Sequence, residues 1–223
     1  MQQNLKMEAN LQKITLFHGL TEQEIEHFIN CSKAKKVSLK KGEELYSQEE
    51  KINKVAIVIQ GELLVYRIDY WGRRDILSVV EKNNIFGAGY AFSPNNKIPV
   101  SVSAGSDCQV ILIDSNNLVT PCPKACSIHQ IIILNLIKIL AKRNVILLDK
   151  IRNISHRTTK EKILSLISSY AINGVAIIPY DRQAMADYLC VDRASLSREL
   201  SKLQQEKIIK FKKNNFILLQ DDL

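Results

Sequence analysis

The spacing of apolar positions changes along the chain, and each change marks a predicted boundary. Leu16, Phe17 and Leu20 lead into Thr21-x-x-Glu24, a capping-box signature, with Ile25, Phe28 and Ile29 at helical spacing behind it. The stretch 11–32 is therefore predicted to be helical. From Val37 the period shortens to two. Val37-Ser38-Leu39, Leu45-Tyr46-Ser47 and the stretches 55–59, 63–68, 74–80, 100–104 and 108–113 read as short strands. Lys40-Lys41-Gly42, Gln60-Gly61-Glu62 and Asp69-Tyr70-Trp71-Gly72 read as turns between them. Many short strands at close spacing predict an antiparallel sandwich or barrel.

At Pro121 the pattern changes again. The stretch 127–155 holds neither Gly nor Pro and reads as one long helix. Positions 126, 130, 133, 137, 140, 144, 147, 151 and 154 alternate by four and three, the spacing of a coiled-coil seam. Ile133, Ile137, Leu140, Asn144, Leu147 and Ile151 on that seam are the expected dimer contacts. An Asn inside a seam fixes register and pairing. A second stripe, Ile132, Leu136 and Ile139, is placed to pack on the barrel. The competing reading is a helix buried all round in a monomer.

Thr158-x-x-Glu161 is a second capping box, opening a helix that buries Ile163, Leu164 and Ile167. Asn173-Gly174 is expected to stop that helix, and 175–178 to form a strand. The stretch 182–206 reads as two short helices with a tight corner. The first, Arg182–Leu189, buries Met185, Ala186 and Leu189. Asp192 is the expected cap of the second, Arg193–Gln205, whose Leu196, Leu200 and Leu203 share one face. Arg193, Ser197, Arg198 and Lys202 fall largely on the other side. Strand, Lys213-Asn214-Asn215 turn and strand then predict a hairpin wing. An ordinary amphipathic helix pair with a solvated basic face is the plain alternative.

Charge favours the sharper reading. The 223 residues carry a net charge of +8. Between Arg193 and Lys213 seven basic residues face two acids, which concentrates positive charge where phosphates would lie. An Arg/Ser face on a helix backed by leucines suits the major groove. Arg193, Ala194, Ser195, Ser197, Arg198, Lys202, Lys212 and Lys213 are the expected DNA contacts.

Other classes are disfavoured. The first twenty residues show no secretory signal, and Lys138, Lys142 and Arg143 break the most apolar region, so a cytoplasmic protein without membrane contact is expected. Five cysteines form no disulfide framework. The four histidines (18, 27, 129, 156) do not cluster with carboxylates on strands, so neither a metal set nor a cupin-type enzyme is evident. No nucleophile–base arrangement can be located, and the chain is read as no enzyme.

With barrel, long helix and winged helix-turn-helix in this order, the chain resembles the Crp/Fnr family of bacterial transcription regulators. Lys41-Gly42-Glu43 and Gln60-Gly61-Glu62-Leu63 look like the front of the family's cyclic-nucleotide-binding-type barrel. Phe86-Gly87 looks like the start of its phosphate-binding cassette. Leu196-Ser197-Arg198-Glu199-Leu200, with Leu203 and Ile208, looks like its recognition helix and exit. The resemblance implies an α+β fold: an N-terminal antiparallel β-barrel of jelly-roll type with helices (1–126), a dimerisation helix (127–155) and a winged helix-turn-helix (156–223). It further implies a homodimer on a partly palindromic DNA site, controlled by an effector at the barrel or dimer helix, with RNA polymerase as a further partner.

The departures from the family are informative. Cyclic-AMP-binding members carry a Glu after the cassette glycine and an Arg-Ser pair some ten residues on. Here Ala88 follows Gly87, and Ile98-Pro99 stands near the second place. A buried cyclic phosphate without Arg is poorly compensated, so cyclic AMP is not the expected ligand. Phe86, Gly87, Ala88, Tyr90, Phe92, Ile98, Pro99 and Val100 are the candidate effector-binding residues, forming an apolar pocket or one filled by its own side chains. The cofactor stays unassigned. The first twenty residues lack the oxygen sensors' cysteine cluster and no axial ligand is assignable, so neither iron–sulfur nor haem is expected. Cys122 and Cys126, near Lys124 and a helix start, offer a redox-sensing alternative. A nucleotide-binding regulatory protein that docks a protein partner is the other. The family's base-reading Glu after Arg193 is Ala194 here, and its corner glycine is Cys190.

Overall fold

The computed structural model describes residues 11–121 and 127–219. Cys122 and Cys126 lie outside the described residues, and so does the redox reading built on them. Contacts divide the chain into two compact units that meet between Leu140 and Ala141.

The first unit opens with two short 3-10 turns, Leu11–Lys13 and Thr15–Phe17, followed by α1 (Glu22–Cys31). The helical stretch expected over 11–32 is thus two 3-10 turns and α1, divided at Thr21, which takes an extended backbone to cap α1. Its hydroxyl accepts from Glu24 N while the Glu24 carboxylate accepts from Thr21 N, the reciprocal bonds of the capping box.

Eight strands follow: β1 (Lys35–Leu39), β2 (Glu44–Tyr46), β3 (Lys54–Gln60), β4 (Leu63–Ile68), β5 (Arg74–Val80), β6 (Ile85–Phe86), β7 (Ser101–Ala104) and β8 (Cys108–Asp114). They form two antiparallel four-stranded sheets, β1-β8-β3-β6 and β2-β7-β4-β5. α2 (Ala88–Ala91) sits between β6 and β7, and α3 (Ser115–Val119) follows β8.

Two apolar clusters explain the strand sequences. Ala56, Val58 and Val110 of one sheet meet Leu63, Val65, Val102 and Ala104 of the other, filling the sandwich. Val55, Ile57, Ile59, Ile111 and Ile113 point the opposite way, under α1 and the first turns of α4 (Ser127–Ile154). β3 is buried on both faces, which is why its sequence is a continuous apolar run. Gly61 makes the β3–β4 turn at φ +71°, and a Cβ there would sit 2.4 Å from the Asp107 carbonyl oxygen, so no other residue fits.

α4 carries its barrel-facing stripe as predicted. Ile132 and Leu136 are buried against the sheet cluster, with Ile139 partly so. Asn135 shares this face, and its amide donates to the carbonyls of Leu16 (3.0 Å) and His18 (2.8 Å). A polar residue on an apolar stripe is thus accounted for by loop carbonyls it satisfies. On the seam, Ile137, Asn144, Leu147 and Ile151 are exposed, and Ile133 and Leu140 are half-buried. Among the described residues, no helix is long and apolar enough to cross a membrane.

The second unit contains the end of α4, then α5 (Thr159–Tyr170), β9 (Ala171–Ile172), β10 (Val175–Ile177), α6 (Arg182–Leu189), α7 (Arg193–Gln205), β11 (Ile209–Lys212) and β12 (Asn215–Leu218). Its sheet runs β11-β12-β10-β9. Asn173-Gly174 does not stop α5, which ends at Tyr170; it turns β9 into β10. Both residues have positive φ, 51° and 77°, as a tight hairpin turn requires. The sequence signal was right for a reversal but was assigned to the wrong element.

Candidate nucleic-acid interface

α6 starts on Asp181, whose carboxylate accepts from Ala184 N at 2.8 Å. It ends at Cys190, which takes the left-handed conformation at φ 53°, ψ 52°. Val191 N donates to the Ala186 carbonyl at 3.0 Å and closes the corner. A side chain at this φ costs roughly 1 kcal/mol relative to glycine. The corner keeps its backbone geometry without the glycine.

Asp192 then caps α7, its carboxylate accepting from Ser195 N at 2.9 Å. That bond, with help from the Arg198 charge, holds the carboxyl below the usual range. A lowered folded pKa stabilises above the unfolded pKa and is lost as pH falls through the folded one, so the cap is intact at neutral pH. Leu196, Leu200 and Leu203 are buried with Met185, Ala186, Leu189, Ile209 and Phe216 in one core. That anchoring turns the opposite face outward. Arg193, Ala194, Ser197, Arg198 and Lys202 are exposed, and Ser195 is half-buried. The structure thus brings the predicted helix residues onto one surface.

Arg198 folds along its own helix. Its Nε donates to the Ala194 carbonyl at 3.4 Å and its Nη2 to Ser195 Oγ at 3.2 Å. The guanidinium is therefore held beside the N-terminal turn of α7. Lys202 stands 3.9 Å from Glu206, which also accepts from Lys160 at 2.8 Å. The Lys202 side chain stays 61% exposed in this pair, so its ammonium remains open to solvent.

The wing turns at Lys213-Asn214, with Lys213 at φ 55°. Lys212 and Lys213 are exposed at its tip. Sequence reasoning missed what holds it. The Arg182 guanidinium lies over both wing aromatics, 5.0 Å from the Phe211 ring and 5.4 Å from the Phe216 ring. Its Nη2 donates to the Lys213 carbonyl at 3.0 Å. Phe211 and Phe216 face each other across β11 and β12. The only cue in the sequence was an aromatic pair flanking a turn, which does not name its cationic partner.

The candidate effector residues do not all converge. Gly87 opens α2 at φ +88°, and a Cβ there would press on the Lys54 carbonyl oxygen at 3.1 Å. Phe86, Ile98 and Val100 are buried in the sandwich interior, with Tyr90 packed against them. Ala88 packs in the other cluster, with the residues under α1 and α4. Phe92 and Pro99 are exposed. Tyr46 adds to this interior, its ring 6.4 Å from Phe86 and its hydroxyl donating to the Lys54 carbonyl at 3.2 Å. Burial, with the nearby Glu50 charge, pushes its phenol up to about 12.

Comparison with known proteins agrees with both halves. Residues 36–120 match the cyclic nucleotide-binding domain, and residues 161–222 match the Crp-like helix-turn-helix domain. Among curated proteins none matches. Among solved structures, CprK complexed with OCPA is 16% identical, covers 87% of this chain and 92% of its own, and superposes with a TM-score of 0.56. The catabolite activator protein of Thermus thermophilus is 16% identical over 92% of this chain and 93% of its own, with a TM-score of 0.49. DNR from Pseudomonas aeruginosa is 22% identical over 95% and 93%, with a TM-score of 0.46. A cyclic nucleotide-binding-type domain followed in one chain by a Crp-like reading head defines a lineage, and this chain belongs to it: the Crp/Fnr family of DNA-binding transcription regulators.

Proposed function

We propose that the protein is a homodimeric, sequence-specific transcription regulator that reads a partly palindromic DNA site and responds to an effector other than cyclic AMP. The observation that carries the reading is α7: three buried leucines behind, and Arg193, Ser197 and Arg198 exposed in front. Such a helix can enter the major groove while the core stays closed. Dimerisation is supported by the exposed seam residues of α4. Control by an effector, and contact with RNA polymerase, follow from the family and are part of the same proposal.

Selection of binding sites from random duplexes tests it. The selected sites should be inverted repeats with half-site centres about 34 Å apart, one helical turn. Unrelated or non-repeated sequences would overturn the reading.

The cassette lacks the groups that a cyclic nucleotide needs. Ala88 offers no carboxylate to a ribose, and Ile98-Pro99 offers no guanidinium to a phosphate. Ile98 is fully buried among apolar side chains. An anion placed there would lose its hydration without gaining a paired charge. Calorimetry with cyclic AMP is expected to show no binding in the low-micromolar range, and affinity of that order would refute the assignment.

A further inference from the structure

We propose that Asn153 is a positioning residue that sets the angle at which the reading head leaves the long helix, and so the half-site separation the protein accepts. The inference rests on the dimeric DNA-binding reading above and adds a residue to it. The residues concerned all lie in the second compact unit.

Asn153 stands in the last turn of α4 and is only 1% exposed. A buried amide must find partners or lose the free energy of its hydration. Here each end has one, and each partner is on a different helix. The Oδ1 accepts from Ser165 Oγ of α5 at 2.7 Å. The Nδ2 donates to the Tyr188 hydroxyl of α6 at 3.4 Å. One side chain therefore ties α4 to the helix that follows it and to the first helix of the reading head.

The surroundings strengthen the tie on the Tyr188 side. Tyr188 stacks on Tyr180 with ring centroids 5.0 Å apart, and Lys150 of α4 lies 5.6 Å above the Tyr188 ring. The connection between α4 and α5 offers little else. Residues 155–158 are all exposed, so no buried side chain of the linker fixes the bend. Apolar contacts tolerate sliding, whereas hydrogen bonds weaken steeply with angle. A two-ended amide at the bend thus favours one angle over its neighbours. In a dimer, that angle on each protomer decides how far apart the two α7 helices stand.

The experiment uses the full-length chain with Asn153→Ala, and Tyr188→Phe as the milder variant that keeps the ring stack. Each is titrated against the selected inverted repeat, against repeats whose half-sites are moved closer or apart by a few base pairs, and against a duplex with a single half-site. Wild type should prefer one separation. Both variants should bind the single half-site within about twofold of wild type and should lose about tenfold of the preference between separations. A purely structural role would weaken all duplexes alike, and an unchanged preference between separations overturns the positioning role. If wild type shows no preference between separations, the dimeric reading itself fails.

Discussion

Glu substituted at both Ile137 and Leu147 is expected to convert the protein to monomers in sedimentation and to weaken its binding to an inverted repeat by about a hundredfold or more. Both side chains are more than half exposed in the single chain, 56% and 58%, so the substitutions remove nothing from the protomer's own core. They act only where a second helix would cover them. A carboxylate buried in such a seam without a partner is strongly unfavourable. Once the protomers separate, the second half-site no longer binds at the high effective concentration that linkage supplies. A double variant that stays dimeric would move the interface away from α4.

The second large effect is expected at the reading head. Arg198→Ala should cost about 1–3 kcal/mol in binding and relax the preference at one base pair of each half-site. The guanidinium stands beside the exposed N-terminal turn of α7, held by the Ala194 carbonyl and Ser195 Oγ. From there it can donate two bonds to guanine O6 and N7, and the Ala194 methyl can meet a thymine methyl. Removing a phosphate contact instead would weaken every sequence alike. The check is selection on random duplexes with both proteins, and identical logos with equal discrimination would acquit Arg198 of base reading.

What was legible in the sequence depended on how local the cause was. The capping boxes at Thr21 and Thr158, the Asp192 cap and the leucine stripe of α7 involve residues a few positions apart, and all formed as read. The strands at 63–68 and 74–80 were bounded by turn residues and also emerged as read. The failures arose where long-range partners decide. β6, α2 and α3 are too short to show a period, and their burial against β3 and β8 makes them. Asn173-Gly174 fits both a helix stop and a hairpin, and only pairing of β9 with β10 distinguishes them. Arg182, Asn135 and Asn153 look like ordinary polar residues on helices. Their roles come from carbonyls, hydroxyls and rings that lie 31, 119 and 35 positions away in the chain. The cassette was readable as chemistry, by what Ala88 and Ile98 lack. That Ala88 turns toward the helix-covered cluster was not.

The Arg182 clamp bears on how the protein would respond to its ionic surroundings. DNA releases condensed cations when a protein neutralises its phosphates, and the logarithm of affinity falls with that of salt by about 0.9 for each phosphate met. Only charges free to reach the backbone enter that count. Arg182 is committed to Phe211, Phe216 and the Lys213 carbonyl, and Lys160 is paired with Glu206. Lys160 and Glu206 already cancel within the net charge of +8, but Arg182 counts toward it while staying on the wing, so +8 overstates by about one how many cations binding sets free. Osmotic upshift in a cell, which raises internal potassium, would loosen this regulator from its sites less than its overall charge implies.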